Sequence, residues 1–428
     1  MTEPVVITPA MTPQRARQIA ATLDLGALPA DFYSNPFPVY AALRGSEPVR
    51  TMPDGSWFLT RHADLVAVYR DAHTFSSDKK VEFTPKYGAH SPLLEHHTNS
   101  LVFNDPPLHT RVRKLIMGAL TRRAIAGMEA GLVTLVDRLL DAIEAKGGGD
   151  LVEDYACAIP VEIIGNLLGV PHADRGPLRG WSLAILGALE PKLTPQQEAL
   201  GNAGVREFLA YLQRLVAERR RQPGDPEHDV LTRLIQGEEA GATLSETELL
   251  HNCIFILNAG HETTTNLIGN ALVALQEWPG QKDALLQAIG ARPDWPALEP
   301  LLTRAVDEFL RFESSNQLGN RRALRACQVG GVALPEGALV TLCIGAANRD
   351  PAQFGNPEAL DLARPDNRHL AFGFGIHQCA GLSLARLEGG VAIGRFLARF
   401  PRYRLTASPT RGGRARFRGF LQAPFAID

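Results

Sequence analysis

Residues 245–279 carry the longest uninterrupted helical pattern in the chain. A capping box, Ser245-Glu246-Thr247-Glu248, opens it and Pro279 stops it. Its middle, 253–259, is apolar on almost every side, which predicts a helix running through the interior. Thr194-Pro195-Gln196-Gln197 is a second capping-box-like start, and Gln222-Pro223-Gly224-Asp225-Pro226 reads as a loop. Asp105-Pro106-Pro107 opens a helix that bears His109, Arg111, Arg113 and Lys114, and from about 132 onward the pattern is mostly helical. Further helices are expected over 301–312 and from 381 to about 400.

Strand signals are fewer. Residues 49–60 read as a hairpin turning at Asp54-Gly55, and 329–344 as a pair of strands around Pro335-Glu336-Gly337. The Gly/Arg-rich tail after 400 suggests more. Residues 1–30 read as a loose arm plus one short helix, with Thr12-Pro13 as its N-cap and N1 pair. Residues 349–370 read as a long irregular connection. The stretch 76–101 lacks periodicity and holds Pro85, Gly88 and Pro92, so it reads as a long loop, with His90, His96 and His97 solvated rather than metal-bound. The fold class expected is mainly α with a small β region, as a single domain over 1–428.

Composition narrows the function without naming it. The 428 residues are 45% hydrophobic and 21% charged, with a net charge of −2. Such a balance gives no reason to propose nucleic acid as a partner. No run approaches membrane-spanning length and the N-terminus lacks a signal-peptide pattern, so no membrane insertion is expected. Five cysteines, at 157, 253, 327, 343 and 379, show no CxxC and no even spacing. A disulfide framework or a four-cysteine zinc site is therefore not expected, and a reducing cytoplasm fits best.

The chemistry gathers near the C-terminus. Phe372-Gly373-Phe374-Gly375-Ile376-His377-Gln378-Cys379-Ala380-Gly381 is a glycine-rich loop ending in a cysteine at the start of a helix. Its glycines permit the turns that aim N–H groups at one sulfur, and a helix N-terminus favours the thiolate, so Cys379 is expected to have a lowered pKa and to bind a haem iron. On the central helix, Ala259-Gly260-His261-Glu262-Thr263-Thr264 combines a glycine with threonines whose hydroxyls bond back along the helix. That opens a groove for a diatomic ligand, with the Thr263 hydroxyl and the Glu262 carboxylate placed to pass protons. An incidental Gly and Thr pair is the plainer alternative. His109 and Arg113, one turn apart, together with Arg321 and His377, are candidate donors for two carboxylates; each alone is also an ordinary surface cation. Glu308 and Arg311 pair at i, i+3, which by itself usually marks a solvated salt bridge.

Taken together, the loop at 372–381, the AGxET segment at 259–263, ExxR at 308–311 and His-xxx-Arg at 109–113 closely resemble the cytochrome P-450 superfamily of haem-thiolate monooxygenases. Asp105-Pro106-Pro107 and Ala347-Asn348-Arg349-Asp350-Pro351 resemble its soluble bacterial members. The resemblance implies a triangular-prism fold and haem b (iron protoporphyrin IX), with O2 as co-substrate. It suggests Cys379 as axial ligand and Thr263 with Glu262 as the proton relay. Phe372, Gly373, Ala259 and Gly260 would lie against the haem, with His109, Arg113, Arg321 and His377 on its propionates. Glu308 and Arg311 would form a structural pair tied to the connection near Arg364. Similar chains often carry proline where this one has Ser315.

The resemblance also implies electrons from NAD(P)H through a separate ferredoxin or flavodoxin and its reductase. Arg111, Lys114, Arg122 and Arg123 form a candidate basic patch for an acidic partner, with a generally solvated helix as the plainer alternative. Phe255, Asn258, Ala259, Asn316, Gln317, the 76–100 segment, Phe420 and Leu421 are expected to face a pocket for a small-to-medium hydrophobic compound with a polar group. A peroxide-using haem-thiolate enzyme and a non-catalytic haem-binding sensor are the alternatives.

Overall fold

The computed structural model describes residues 7–226, 229–236, 244–291 and 295–427. Nine of its helices position the site: α1 (Pro13–Ala21), α2 (Lys80–Tyr87), α3 (Pro92–Asn99), α4 (Leu108–Ala119), α5 (Ala158–Leu167), α6 (Pro195–Arg221), α7 (Glu246–Glu277), α8 (Trp295–Phe312) and α9 (Leu382–Arg399). The long central helix is α7. Its capping box is formed in both directions: Glu248 N–H donates to Ser245 Oγ at 3.2 Å, and Ser245 N–H donates to the Glu248 carboxylate at 2.8 Å. It ends at Glu277; Trp278 leaves the helical conformation, and Pro279 starts the next helix. Most of α7 is buried because α5, α8 and α9 all pack against it. At Gly260 a β-carbon would stand 2.5 Å from Ile164 Cδ1, so this glycine lets α5 approach the central helix.

The β region holds a five-stranded sheet. Val49–Thr51 (β1) and Trp57–Leu59 (β2) form the expected hairpin, with Gly55 at φ 80° and Asp54 Oδ1 accepting the Ser56 N–H at 2.9 Å. Next come Phe75–Ser76 (β3), Leu318–Ala323 (β4), Cys327–Val329 (β5), Val332–Leu334 (β6) and Leu339–Cys343 (β7); the sheet order is β1-β2-β7-β4-β3, and short strands at Gly148–Asp150 and in the tail after 400 form two smaller sheets. The strands expected over 329–344 exist, but they do not pair with each other. β6 pairs with β5, while β7 enters the larger sheet between β2 and β4. Turn residues mark where a strand ends and are silent on which neighbour it chooses.

Three other expectations change. The 76–101 stretch is not a long loop: it contains α2 and α3. Ser91 caps α3 through the Leu94 N–H at 3.0 Å, with Pro92 at N1. Packing among Phe83, Tyr87, His97 and Phe103 holds the pair in spite of Pro85. His96 and His97 are accordingly buried, not solvated. Residues 1–6 of the N-terminal arm lie outside the described residues. The rest is anchored, since α1 buries Ala16, Ile19 and Ala20, and Arg50 grips the carbonyls of Ala20 and Ala21 at 2.6 Å each. Finally, α8 begins at Trp295, ahead of the 301 expected. No helix among the described residues is long and apolar enough to cross a membrane.

Candidate haem-thiolate site

The cysteine loop is built by its own backbone. Gly373 and Gly375 lie at φ 65° and 71°, conformations that side chains disfavour. A β-carbon on Gly375 would stand 2.3 Å from the Tyr69 carbonyl oxygen. Gly373 N–H donates to the Leu370 carbonyl at 2.8 Å, and Cys379 N–H donates across the loop to the Phe372 carbonyl at 2.8 Å. Cys379 thus stands at the end of a closed turn, immediately before α9. Its thiol has no disulfide partner and is only partly covered.

The expected lowering of its pKa does not occur in the protein alone. Burial pushes the Cys379 thiol up, and the Gly381 N–H, Arg113 and Arg386 oppose this without overcoming it. A thiolate here therefore needs a metal cation to complete it.

Beside the loop sits a cluster of basic side chains, on two of which, His109 and Arg321, the Asp105 carboxylate also acts. His109 and His377 stack with ring centroids 4.1 Å apart. Neither ring nitrogen of His109 has a hydrogen-bond partner, nor does Nε2 of His377. Burial and then Arg321, His109, Arg113 and Lys79 push His377 down to about 2. Arg321, over the Tyr69 ring at 5.2 Å, is itself lowered by burial. Buried polar groups are normally paired, so orphaned donors collected around one cysteine are the signature of an anionic ligand. Two propionates on a ring held by Cys379 would supply that charge, and the residues present fit a haem.

Lys79 was missed in the sequence. Its ammonium is buried and unpartnered, burial lowers it to about 7, and it lies within electrostatic reach of Arg321 and His377. Reading its segment as a solvated loop hid it.

On α7 an uncovered stripe interrupts the burial. Ala259 is exposed, and Phe255, Ile256, Gly260 and Thr263 are partly so, at helical spacing. The Thr263 hydroxyl donates to the Ala259 carbonyl at 2.6 Å, as the mid-helix threonine requires. Gly260, expected to open this groove, instead accommodates Ile164.

Glu262 lies on the adjoining face. It is buried and ion-paired to Arg414 of the C-terminal tail, and its Oε2 has no partner. Burial raises its pKa and Arg414 works against that rise. A small cavity of about 30 Å³, enough for a water, is lined by His261, Glu262, Asn266, Arg414, Phe420 and Leu421, among others.

The remaining pocket candidates scatter. Asn258 is buried with both amide atoms unpaired, and Asn316 leaves its Oδ1 unpaired. Gln317 turns away: its amide donates to the Ser314 carbonyl at 2.7 Å and its oxygen fills the space beside Gly345. Phe420 and Leu421 border the Glu262 cavity.

Glu308 and Arg311 are not a solvated pair. Both are fully buried and joined by two hydrogen bonds of 2.8 Å. Arg311 also donates to the carbonyls of Asn348, Pro357 and Ala359, and Glu308 accepts from Arg364 at 3.0 Å. The irregular connection over 349–370 hangs on this pair.

The cytochrome P450 family model matches residues 183–410. The chain is 37% identical to cytochrome P450 107B1 of Saccharopolyspora erythraea, covering 86% of this chain and 89% of that one. It is 38% identical to the vitamin D(3) 25-hydroxylase of Pseudonocardia autotrophica, covering 86% and 87%. Among solved structures, P450BioI in complex with an acyl carrier protein ligated to hexadec-9Z-enoic acid superimposes with a TM-score of 0.85 at 31% identity, covering 93% of this chain and 100% of that one. A family that carries haem on a cysteine thiolate accounts for both the thiol loop and the basic cluster beside it. The chain belongs to the cytochrome P450 family and is a monooxygenase of that type.

Proposed function

We propose that this chain inserts one oxygen atom from O2 into a C–H bond of a small-to-medium hydrophobic compound. Electrons come from NAD(P)H through a separate ferredoxin or flavodoxin and its reductase, in the cytoplasm. The observation that carries this reading is the set of unpaired, buried donors of His109, His377 and Lys79 beside Arg113, Arg321 and Cys379.

In this reading haem b, bound through Cys379, supplies oxygen binding and activation. His109, Arg113, Arg321, His377 and Lys79 would hold its propionates. Phe372, Gly373, Ala259 and Gly260 would lie against it. Thr263 holds a proton donor at its hydroxyl, and Glu262 refills it. The unpaired Oε2 of Glu262, its raised pKa and the adjoining water-sized cavity support that role. Phe255, Asn258 and Asn316 contact the substrate, with the two amides orienting a polar group on it. Relatives named for vitamin D(3) and for a fatty-acyl chain support a lipophilic substrate.

The test is a reduced, carbon-monoxide-bound spectrum, followed by turnover with a ferredoxin and its reductase. A thiolate-type spectrum with NAD(P)H- and O2-dependent product is expected. Product from peroxide alone, or none under either condition with a screened panel of compounds that shift the haem spin state, would overturn the reading.

A further inference from the structure

Asp307 sits one residue before Glu308 on α8, yet it faces a different partner set. Its carboxylate accepts from Arg386 of α9, Nε at 2.8 Å and the terminal nitrogen at 3.2 Å. It also meets His369 Nε2 at 3.3 Å. The other ring nitrogen of His369 accepts the Ala371 N–H at 3.2 Å. That fixes the tautomer: Nδ1 is the acceptor, so Nε2 carries the proton and donates to Asp307.

The two groups that Asp307 holds both bear on Phe372. The Arg386 guanidinium lies over its ring at 5.2 Å, and the His369 ring packs against it with centroids 5.4 Å apart. Phe372 in turn receives the Cys379 N–H at its carbonyl, at 2.8 Å. One carboxylate therefore secures the cysteine loop at three places: the backbone at 371 through His369, the Phe372 ring through both partners, and the entrance to α9 through Arg386.

The arrangement is more than a surface ion pair. His369 is 3% exposed at its side chain, Asp307 18% and Arg386 30%, so the guanidinium is held in place at a partly buried position and is screened less than a free surface charge. Arg386 is close enough for its charge to act on the Cys379 thiol. A guanidinium also needs its planar fork to satisfy a carboxylate and lie over a ring at once, which a lysine does not reproduce.

We propose that Asp307 is a positioning residue for the metal-binding thiolate. By clamping Arg386 and His369 around Phe372, it fixes the cysteine loop and holds a positive charge near the sulfur, and so sets the reduction potential of the bound iron. This rests on the haem-thiolate reading above. A cation held near the thiolate favours the reduced, less positive iron, so releasing that cation shifts the potential to more negative values.

The experiment uses holoenzyme variants Asp307→Asn, Asp307→Glu, Arg386→Leu and Arg386→Lys. It records the iron midpoint potential by spectroelectrochemistry, the reduced carbon-monoxide spectrum and thermal unfolding. The wild type must first show the thiolate spectrum; if it does not, the haem-thiolate reading itself fails, separately from this proposal. Given that spectrum, Arg386→Leu is expected to lower the potential, and Asp307→Asn, which removes an anion as it releases the cation, is expected to lower it by less. Their carbon-monoxide complex should divide between thiolate and non-thiolate bands, and Asp307→Glu should restore both readouts in part. Arg386→Lys keeps the charge and loses the fork, so it should retain most of the potential while the band still divides. A potential and a single thiolate band unchanged in Asp307→Asn and Arg386→Leu, with only the unfolding temperature lowered, would reduce Asp307 to a structural ion pair and overturn the proposal. Should Arg386→Leu fail to hold haem, the Asp307→Asn and Asp307→Glu pair decides.

Discussion

The Ser315 hydroxyl donates to the backbone carbonyl of Thr263 at 2.8 Å. The segment leaving α8 is thereby tied to the central helix at the residue whose own hydroxyl turns back on Ala259. Similar chains often carry proline at this position, which has no hydroxyl to give. Ser315→Ala is expected to cost about 1 kcal/mol of stability, the worth of one neutral hydrogen bond. It should also raise the fraction of electrons lost to peroxide, because Thr263 is less firmly held. Chemical denaturation and a peroxide assay check the two parts.

Thr263→Ala removes the hydroxyl proposed as proton donor. Uncoupling is expected to exceed that of Ser315→Ala, with NAD(P)H still consumed and peroxide appearing in place of product. Coupling that stays at the wild-type level would remove Thr263 from the relay.

Arg311→Leu leaves the Glu308 carboxylate buried with Arg364, Asn367 and the Asp361 N–H as its remaining partners, and it removes the Arg311 donors from the carbonyls of Asn348, Pro357 and Ala359. Breaking a buried pair from one side typically costs about 3–5 kcal/mol. The variant is expected to yield little holoprotein. Arg311→Lys should fail nearly as badly, because an ammonium cannot reach Glu308 and three carbonyls together. Haem content per purified chain measures both.

His97 is buried among Phe83, Tyr87 and Phe103, and burial drives its pKa down to about 3. The folded-state value lies below the unfolded one. Between about 6.5 and about 3, the unfolded chain holds a proton that the folded chain does not. Stability therefore rises with pH through that window and is lost as pH falls. His97→Phe should flatten the dependence by about 1.4 kcal/mol per pH unit. Denaturant midpoints at about pH 5 and about pH 7 test it; an unchanged slope would show that His97 takes no part.

Lys114, Arg122 and Arg123 are exposed, whereas Arg111 is engaged by the Glu248 carboxylate at the start of α7. Reversing the three exposed charges is expected to slow reduction by an acidic ferredoxin at low salt, with the difference shrinking as salt rises. Arg111→Glu should instead act on stability, by repelling Glu248. Stopped-flow reduction across a salt series separates the two effects.

Local chemistry wrote much of this molecule legibly. Ser245 and Glu248 announce the central helix because a capping box needs only neighbours three residues apart, and the glycines at 373 and 375 announce the cysteine turn because only backbone freedom permits it. What stayed hidden depends on distant partners. Nothing near Lys79, His96 or His97 reveals that aromatic rings and other helices will bury them, since the Pro85 and Gly88 signals argue for a loop. Arg414 reaches Glu262 from 152 residues away, a distance at which periodicity carries no information.

The sequence by itself determined the class of chemistry: a cysteine in a glycine-rich turn, a threonine beside a carboxylate on an interior helix, and cations spaced to grip carboxylates. Those features are short-range and survive in any single chain. Only the tertiary structure decided how they are held. It raised the Cys379 thiol through burial where its loop suggested lowering, bound the Gln317 amide to the Ser314 carbonyl, made Gly260 a packing contact, and joined Asp307, His369 and Arg386 around Phe372. Burial and long-range charge set those outcomes, and both arise only once the helices have packed.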